Sequence, residues 1–448
     1  MGLAPRASAA PPKRSLLYLG CPAGPVGAVL RGARGSGPES DALSVIRAGL
    51  RAADVGPGVA SALAGGVLRA GRRRVRLSEY GRVCVVAYGK AAAAMAEAAD
   101  AAAPASDGIV VVPAGSPAPR LDSSRYDVVR SSHPLPTRRS VAAARAVTGR
   151  VASLRRGDLA LFLVSGGGSA MLAAPDGVTL EEKARTTALL ISSGATIREI
   201  NLVRRGLSRI KGGGLVEGME CDGAALVASD VRGDDPADVS SGCTVASAYD
   251  PATALAVLKR HRILSRVPRA AITALGGRRR AASRRARRIP HAVVASNADC
   301  VAAMRATARS LGYAVREADS YGDVGEAARR IAAMLPARRR TCVVFGGEPT
   351  VRVRGGGRGG RSQELVARLL LRCRRQGTVA ASVGTDGIDG NTRAAGALAD
   401  PGVATPREIG KFLACSDSNA LFARRGGLVV TGHTGTNLQD IGVLLNSI

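Results

Sequence analysis

The sequence predicts an α/β fold in two domains, and three features carry that expectation. Its 448 residues exceed what a single hydrophobic core usually supports. Short apolar runs of strand length alternate with helical patterns along most of the chain, as in sheets flanked by helices. Between Asp250 and Asp299 there is no acidic residue, yet Arg278-Arg279-Arg280 and Arg284-Arg285-Ala286-Arg287-Arg288 crowd the same stretch. Such a like-charge run reads as a solvated linker. The expected organisation is an extension over 1–40, a domain over 41–265, an arginine-rich linker over 266–291 and a second domain over 292–448.

The extension has arginine, lysine, serine and alanine but no acid before Glu39. It reads as disordered or as a mitochondrial transit segment, so the expected location is cytoplasmic, with a mitochondrial alternative. The first domain then predicts a helix over 42–53, a strand over 83–87, a helix over 90–103, a strand over 108–112, a helix over 140–154 and a strand over 159–164. Paired helices over 180–193 and 197–210 and a strand over 224–228 follow. This alternation predicts a doubly wound, mostly parallel sheet. The second domain resumes it with strands over 292–295, 341–345, 379–383 and 427–431 and helices over 298–311 and 362–376.

Composition removes several function classes. An apolar content of 46% argues against wholesale disorder, and no apolar run approaches the ~20 residues of a membrane helix, so a soluble protein without a membrane partner is expected. The net charge of +29 invites a nucleic-acid reading. However, aromatic residues make up 2% with no tryptophan, which leaves little for bases to stack on. The arginines are scattered, so no specific nucleic-acid partner is expected, only nonspecific polyanion affinity. The 8 cysteines form no C-x-x-C pair and the 4 histidines show no paired spacing, as in a reduced protein without zinc. Any metal would be a hard ion held by carboxylates and phosphates.

Against that background, several clusters point to anion chemistry. The apolar run 159–164 empties into Ser165-Gly166-Gly167-Gly168-Ser169 before a helix, a form in which backbone N–H groups can cradle a phosphate or carboxylate. The same loop also serves as a tight strand-to-helix connection. Gly89-Lys90 follows a strand and puts an ammonium at a helix start, where an anionic ligand would offset the unfavourable dipole, unless the lysine bends back to solvent. Positions 201, 204, 208 and 211 share a helical face, so that Asn201, Arg204 and Lys211 converge on one anion or form a solvated charged face. Ser131-Ser132-His133-Pro134 is a rigid turn. Asp230, with Asp234 and Asp235, lies at a strand end, as magnesium ligands and bases do, and as loop caps do. In the second domain, a run of glycines from 355 delivers Arg361 to a helix start. Gly384-Thr385-Asp386-Gly387-Ile388-Asp389-Gly390 sets two carboxylates in a glycine-flanked strand-end loop, too costly in backbone entropy for turn formation alone.

Taken in order, Val164 to Ala170, Glu199 to Arg204, Ser208 to Gly213, Ser229-Asp230 with Gly233-Asp234-Asp235, Gly359 to Glu364, Gly384 to Gly390 and Thr434 to Asn437 closely resemble the glycerate 2-kinase family with a MOFRL C-terminal domain. The resemblance covers about 42–448. It implies a Rossmann-like N-terminal domain, a smaller MOFRL-type α/β C-terminal domain and an active site in the cleft between them. It also implies transfer of the γ-phosphoryl group of ATP to the 2-hydroxyl of D-glycerate with Mg2+, in a monomer or homodimer. By the same match Lys90, Arg361 and Asp386 are the catalytic positions. Ser165, Gly166, Gly167, Gly168, Ser169, Asn201, Arg204 and Lys211 are expected to bind substrate or phosphate, Arg204 taking the substrate carboxylate, and Asp230 and Asp389 to meet the metal. The chain departs from the family pattern at Cys243 (usually proline), Ser362 (asparagine), Asn391 (proline) and Arg393 (an acid). An arginine beside Asp386 and Asp389 reverses local charge and would lower their pKa values or displace a metal. Two rival functions are a hydroxypyruvate reductase, disfavoured because no G-x-G-x-x-G opens the first βα unit, and an inactive polyanion-binding homologue.

Overall fold

The computed structural model describes residues 17–18, 37–277, 288–336 and 340–448. Most of the expected extension and the heart of the expected linker, 278–287, lie outside the described residues. The chain divides into two compact units, one made of 52–297 with 435–438, the other of 1–51 with 298–434 and 439–448.

The first unit is built on a six-stranded parallel sheet in the order Tyr126–Ser131, Asp107–Pro113, Arg82–Tyr88, Asp158–Ser165, Asp222–Ala228, His291–Ala295. Strands such as Arg82–Tyr88 and Asp158–Ser165 are buried along nearly their whole length, as parallel strands covered on both faces must be. Numbered in chain order the strands run 3-2-1-4-5-6. The chain reverses direction between Arg82–Tyr88 and Asp158–Ser165, and at such a switch point a crevice opens at the carboxyl ends of the strands. Beside the sheet, the helices Leu180–Ser192, Ile197–Gly206, Pro251–Arg260 and Arg269–Leu275 share a core of their own, with Leu190, Val203, Leu207, Tyr249 and Leu258 at its centre.

The second unit has a mixed seven-stranded sheet in the order Leu17–Tyr18, Leu428–Val430, Gly396–Ala399, Thr378–Gly384, Asp440–Asn446, Thr341–Gly347, Ala314–Asp319. Only its two outermost pairs are parallel. Asp440–Asn446 lies near the middle, antiparallel to both Thr378–Gly384 and Thr341–Gly347. The helix Arg361–Arg372 packs its buried face, including Leu365, Val366, Leu369 and Leu370, into this unit's core.

Three expected assignments need correction. The strand His291–Ala295, assigned to the second domain from sequence, pairs with Asp222–Ala228 and completes the first sheet. The helix Arg269–Leu275 is regular structure inside the expected linker and buries Ala271 and Leu275. An arginine run carries the same charge signature whether it separates domains or lies within one, and strand pairing, which is nonlocal, decides which unit the flanking elements join. Likewise the helix Pro38–Ala52 belongs with the second unit. Its Asp41 Oδ2 accepts hydrogen bonds from Tyr313 Oη (2.7 Å) and Arg340 Nη2 (3.3 Å). Among the described residues no helix is long and apolar enough to cross a membrane. All seven described cysteines are free, and Cys415 is exposed.

Candidate active site

At the switch point of the first sheet, two loops are stitched together. Ser165 ends its strand, and its Oγ accepts a hydrogen bond from the Ala91 amide (3.0 Å) while its carbonyl accepts one from Ser240 Oγ (2.7 Å). The Lys90 amide donates to the Gly166 carbonyl at 2.8 Å. Glycine is required at 89, where φ is +124° and a Cβ would lie 2.2 Å from Ser165 Oγ. At 166 a Cβ would fall 1.7 Å from Asp230 Oδ2, so the Asp230 carboxylate rests directly on this loop. Gly167 has a left-handed φ of +82°, and a Cβ there would sit 3.1 Å from both the His133 ring and Lys90 Cγ. Lys90, His133 and Asp230, from the ends of three different strands, thus surround the glycines.

Lys211 reaches the same loop from the other side, though not along a helix. The helix Ile197–Gly206 stops before Ser208, which bridges to Pro175, so the expected shared face of 201, 204, 208 and 211 does not exist as a helical stripe. A turn with left-handed Gly212 and Gly213 delivers Lys211 instead, held by the Gly213 amide donating to the Gly242 carbonyl at 2.9 Å. Lys211 Nζ donates to Ser169 Oγ at 2.6 Å. A relay continues from there: Ser169 Oγ meets Ser241 Oγ at 3.0 Å, Ser241 Oγ donates to Asn201 Oδ1 at 3.2 Å, and Asn201 Nδ2 donates to Asp238 Oδ1 at 3.1 Å. Ser240 and Ser241 hold left-handed φ values of 51° and 62°, a backbone strain of the sort that gathers at functional sites. Burial, reinforced by Arg204, pushes the Lys211 ammonium well below the usual lysine range. Arg204 is lowered by burial too. Asn201, Arg204, Lys211 and the glycine-rich loop are therefore brought into one neighbourhood, by a turn and not by a shared helical face.

Lys183 was missed by sequence reasoning. It is only 7% exposed, and burial, with Arg204 second, pushes it down to about 7. A signal was present: on the helix Leu180–Ser192 the buried residues are Lys183, Thr186, Leu189 and Leu190, so the lysine occupies the inward stripe.

In the second unit, Arg361 opens its helix and is heavily engaged. Its Nε and Nη2 donate to Asp440 at 2.6 and 3.1 Å, and its Nη1 contacts Glu348. Burial pushes the Asp440 carboxyl up, to about 7, against the pull of Arg361. A Cβ at Gly384 would lie 3.1 Å from Asp386 Oδ1 and 3.4 Å from Asp440 Oδ1, so these carboxylates flank one backbone position. Asp386 Oδ1 accepts a bond from the Ile388 amide (3.1 Å), and the side chain is half-buried. Asp440 was not singled out from sequence, because nothing local marks the first residue of an apolar strand as a partner for Arg361.

Asp389 has a different task from the metal contact expected of it. It is 2% exposed and accepts hydrogen bonds from the Ser362 amide (3.0 Å), the Gln363 amide (2.9 Å) and Gln363 Nε2 (2.8 Å). Those bonds engage both carboxylate oxygens and make it the cap of the helix Arg361–Arg372. Among the described residues no group of three or more His, Cys, Asp or Glu side chains could hold an ion. Asp230 in the first unit and Asp386 in the second are each a half-buried carboxylate at a strand end.

Family models place this architecture. The domain of unknown function DUF4147 matches residues 41–276, and the MOFRL family matches 341–440. A protein of Agrobacterium vitis provisionally named hydroxypyruvate reductase is 37% identical, over 82% of this chain and 87% of that one. A glycerate 2-kinase of Pyrococcus horikoshii is 32% identical, over 82% and 87%. The crystal structure of a glycerate kinase from Thermotoga maritima superposes with a TM-score of 0.78 at 30% identity, covering 91% of this chain and 99% of that one. The chain belongs to the MOFRL-containing glycerate kinase family. Three of the four positions noted above as departures are buried or hydrogen-bonded within the fold. Cys243 is buried, Ser362 Oγ accepts from Ser382 Oγ at 3.3 Å, and Asn391 Oδ1 accepts from the Gly359 amide at 3.0 Å. Arg393 is exposed and lines a pocket of about 410 Å³ with Arg358, Ala394, Asn419, Leu428 and Val430. The cation that lowers the Asp389 carboxyl is Arg361, although burial outweighs it and leaves Asp389 raised.

Proposed function

We propose that the protein is a glycerate 2-kinase, using ATP to phosphorylate the 2-hydroxyl of D-glycerate. The observation that carries this reading is the switch point itself, where Lys90 and the Ser165-Gly166-Gly167-Gly168-Ser169 loop are stitched together beside buried cations. Phosphoryl transfer asks chiefly for charge neutralisation and alignment. Lys90 and the loop amides suit phosphate oxygens, and Arg204 with Lys211 suits the substrate carboxylate. Arg361 and Asp386 keep the roles that the family resemblance gives them. Three of the five N–H groups of Arg361 are committed to Asp440 and Glu348, leaving two for a phosphoryl oxygen. Asp386 accepts the proton of the 2-hydroxyl as its oxygen bonds to phosphorus and the bond to the ADP oxygen breaks. Magnesium bound with the nucleotide would supply charge neutralisation on its phosphates, with the half-buried carboxylates Asp230 and Asp386 as the side chains that would meet it.

Among the relatives, a provisional reductase name stands beside the kinase names. A dinucleotide site would need its glycine fingerprint after the first strand, whereas here Gly89-Lys90 occupies that turn and the triple glycine follows the fourth strand. Incubation with ATP, magnesium and D-glycerate, followed by phosphorus and carbon NMR, is expected to give 2-phosphoglycerate. A 3-phosphoglycerate product, or NADH-dependent reduction of hydroxypyruvate without kinase activity, would overturn the reading.

A further inference from the structure

We propose that Lys183 is a third cation of the carboxylate pocket, binding the hydroxy-acid substrate together with Arg204 and Lys211. The inference rests on the kinase reading and extends it to a residue outside the family-derived site. Lys183 is more than nine-tenths buried, and its Nζ has no hydrogen-bond partner. An ammonium left in that condition is costly, and a folded protein normally pairs or neutralises it. Its charged surroundings make the condition worse. Arg204 on the adjoining helix is a like charge within electrostatic reach, and Lys211 on the following turn feels both of them. Asp176 and Cys243 act in the opposite sense but more weakly than Arg204.

The buried amines of Lys183 and Lys211 and the partly buried Arg204 guanidinium, with no ion pair to a carboxylate among the described residues, are best offset by an anion from outside the chain. The hydroxyl and amide relay through Ser169, Ser241 and Asn201 begins at Lys211, which supplies polar partners for a hydroxyl carried on the same small molecule. Carboxylate and phosphoryl oxygens share the chemistry such a pocket takes. Lys90 and the glycine amides already suit the phosphates, so the carboxylate is assigned here.

The test is Lys183→Met, which keeps the apolar stem and removes the charge. The KM for D-glycerate is expected to rise at least 10-fold, with kcat within about threefold, the KM for ATP unchanged and the melting temperature equal or higher. Unchanged KM for D-glycerate would overturn the assignment, as would a rise confined to ATP, or a parallel loss of kcat and melting temperature. Calorimetric titration of D-glycerate into nucleotide-free protein separates this proposal from the kinase reading. If the wild type binds D-glycerate but does not phosphorylate it, and the variant loses binding, the pocket stands and the kinase reading fails. Equal binding by both proteins, or none by the wild type, overturns the role of Lys183.

Discussion

Asp386 and Asp389 stand three positions apart in the same glycine-flanked loop, and their surroundings divide their work. Asp389 has both oxygens engaged by N–H donors, while Asp386 spends one oxygen on the Ile388 amide and stays half-buried near Asp440. Asp386→Asn preserves that turn, since an amide oxygen also accepts, but removes the charge. A general base typically contributes about 100-fold to 10,000-fold. Turnover is expected to fall by that order at an unchanged melting temperature, and near-normal turnover would remove Asp386 from the chemistry. From sequence the two carboxylates look equivalent, because their difference comes from a helix start more than 20 residues away. The glycines at 89 and 166–168 were legible, since a loop that admits backbone contacts must be built from residues without side chains.

At the scale of elements, the helix Arg361–Arg372 begins after Gly360 with no side-chain cap of its own. Asp389 supplies one from a distant loop, and this fixes the point at which Arg361 leaves the backbone. Asp389→Ala should therefore cost stability of about the size of a lost N-cap, roughly 0.5–2 kcal/mol, and more because the site is buried. Thermal denaturation measures that loss. Turnover is expected to drop with it through a displaced Arg361, and wild-type stability in the variant would refute the capping role. The four central strands of the first sheet were legible as apolar runs, but the edge strand Tyr126–Ser131, mostly exposed or half-buried, and the helices Val55–Leu63, Pro251–Arg260 and Arg269–Leu275 were not. The run 197–210 was over-extended as helix because Leu207 and Ile210 continue the apolar pattern into a bridge and turn that only Pro175 and the left-handed glycines reveal.

Across the whole molecule, the order of elements in sequence does not match the composition of the units. The helix Pro38–Ala52 precedes the whole first sheet yet packs with residues beyond 298. A Cβ at Gly49 would lie 2.6 Å from Ile441 Cδ1 and 2.7 Å from Met304 Sδ. Gly49→Val should overpack this contact, at a cost of about 1–3 kcal/mol. Hydrogen exchange is expected to lose protection across 298–448 and not across 82–228; uniform loss would contradict the division into units. Sequence patterns could not reveal this partnership, because an amphipathic stripe says that a helix is covered without naming the cover.

The same arrangement has a consequence for how the chain is made. The helix Pro38–Ala52 leaves the ribosome early with Leu43, Val45, Ile46 and Leu50 on its apolar side, all buried in the finished protein. The strand carrying Ile441 is synthesised after every other strand of its sheet, although it lies near the middle. At roughly 5–20 residues per second the interval is tens of seconds. Throughout it the first unit can form its parallel sheet, while the early helix waits with its stripe in water. A premature stop just before Asp440 would strip the core, not the rim, from the second sheet.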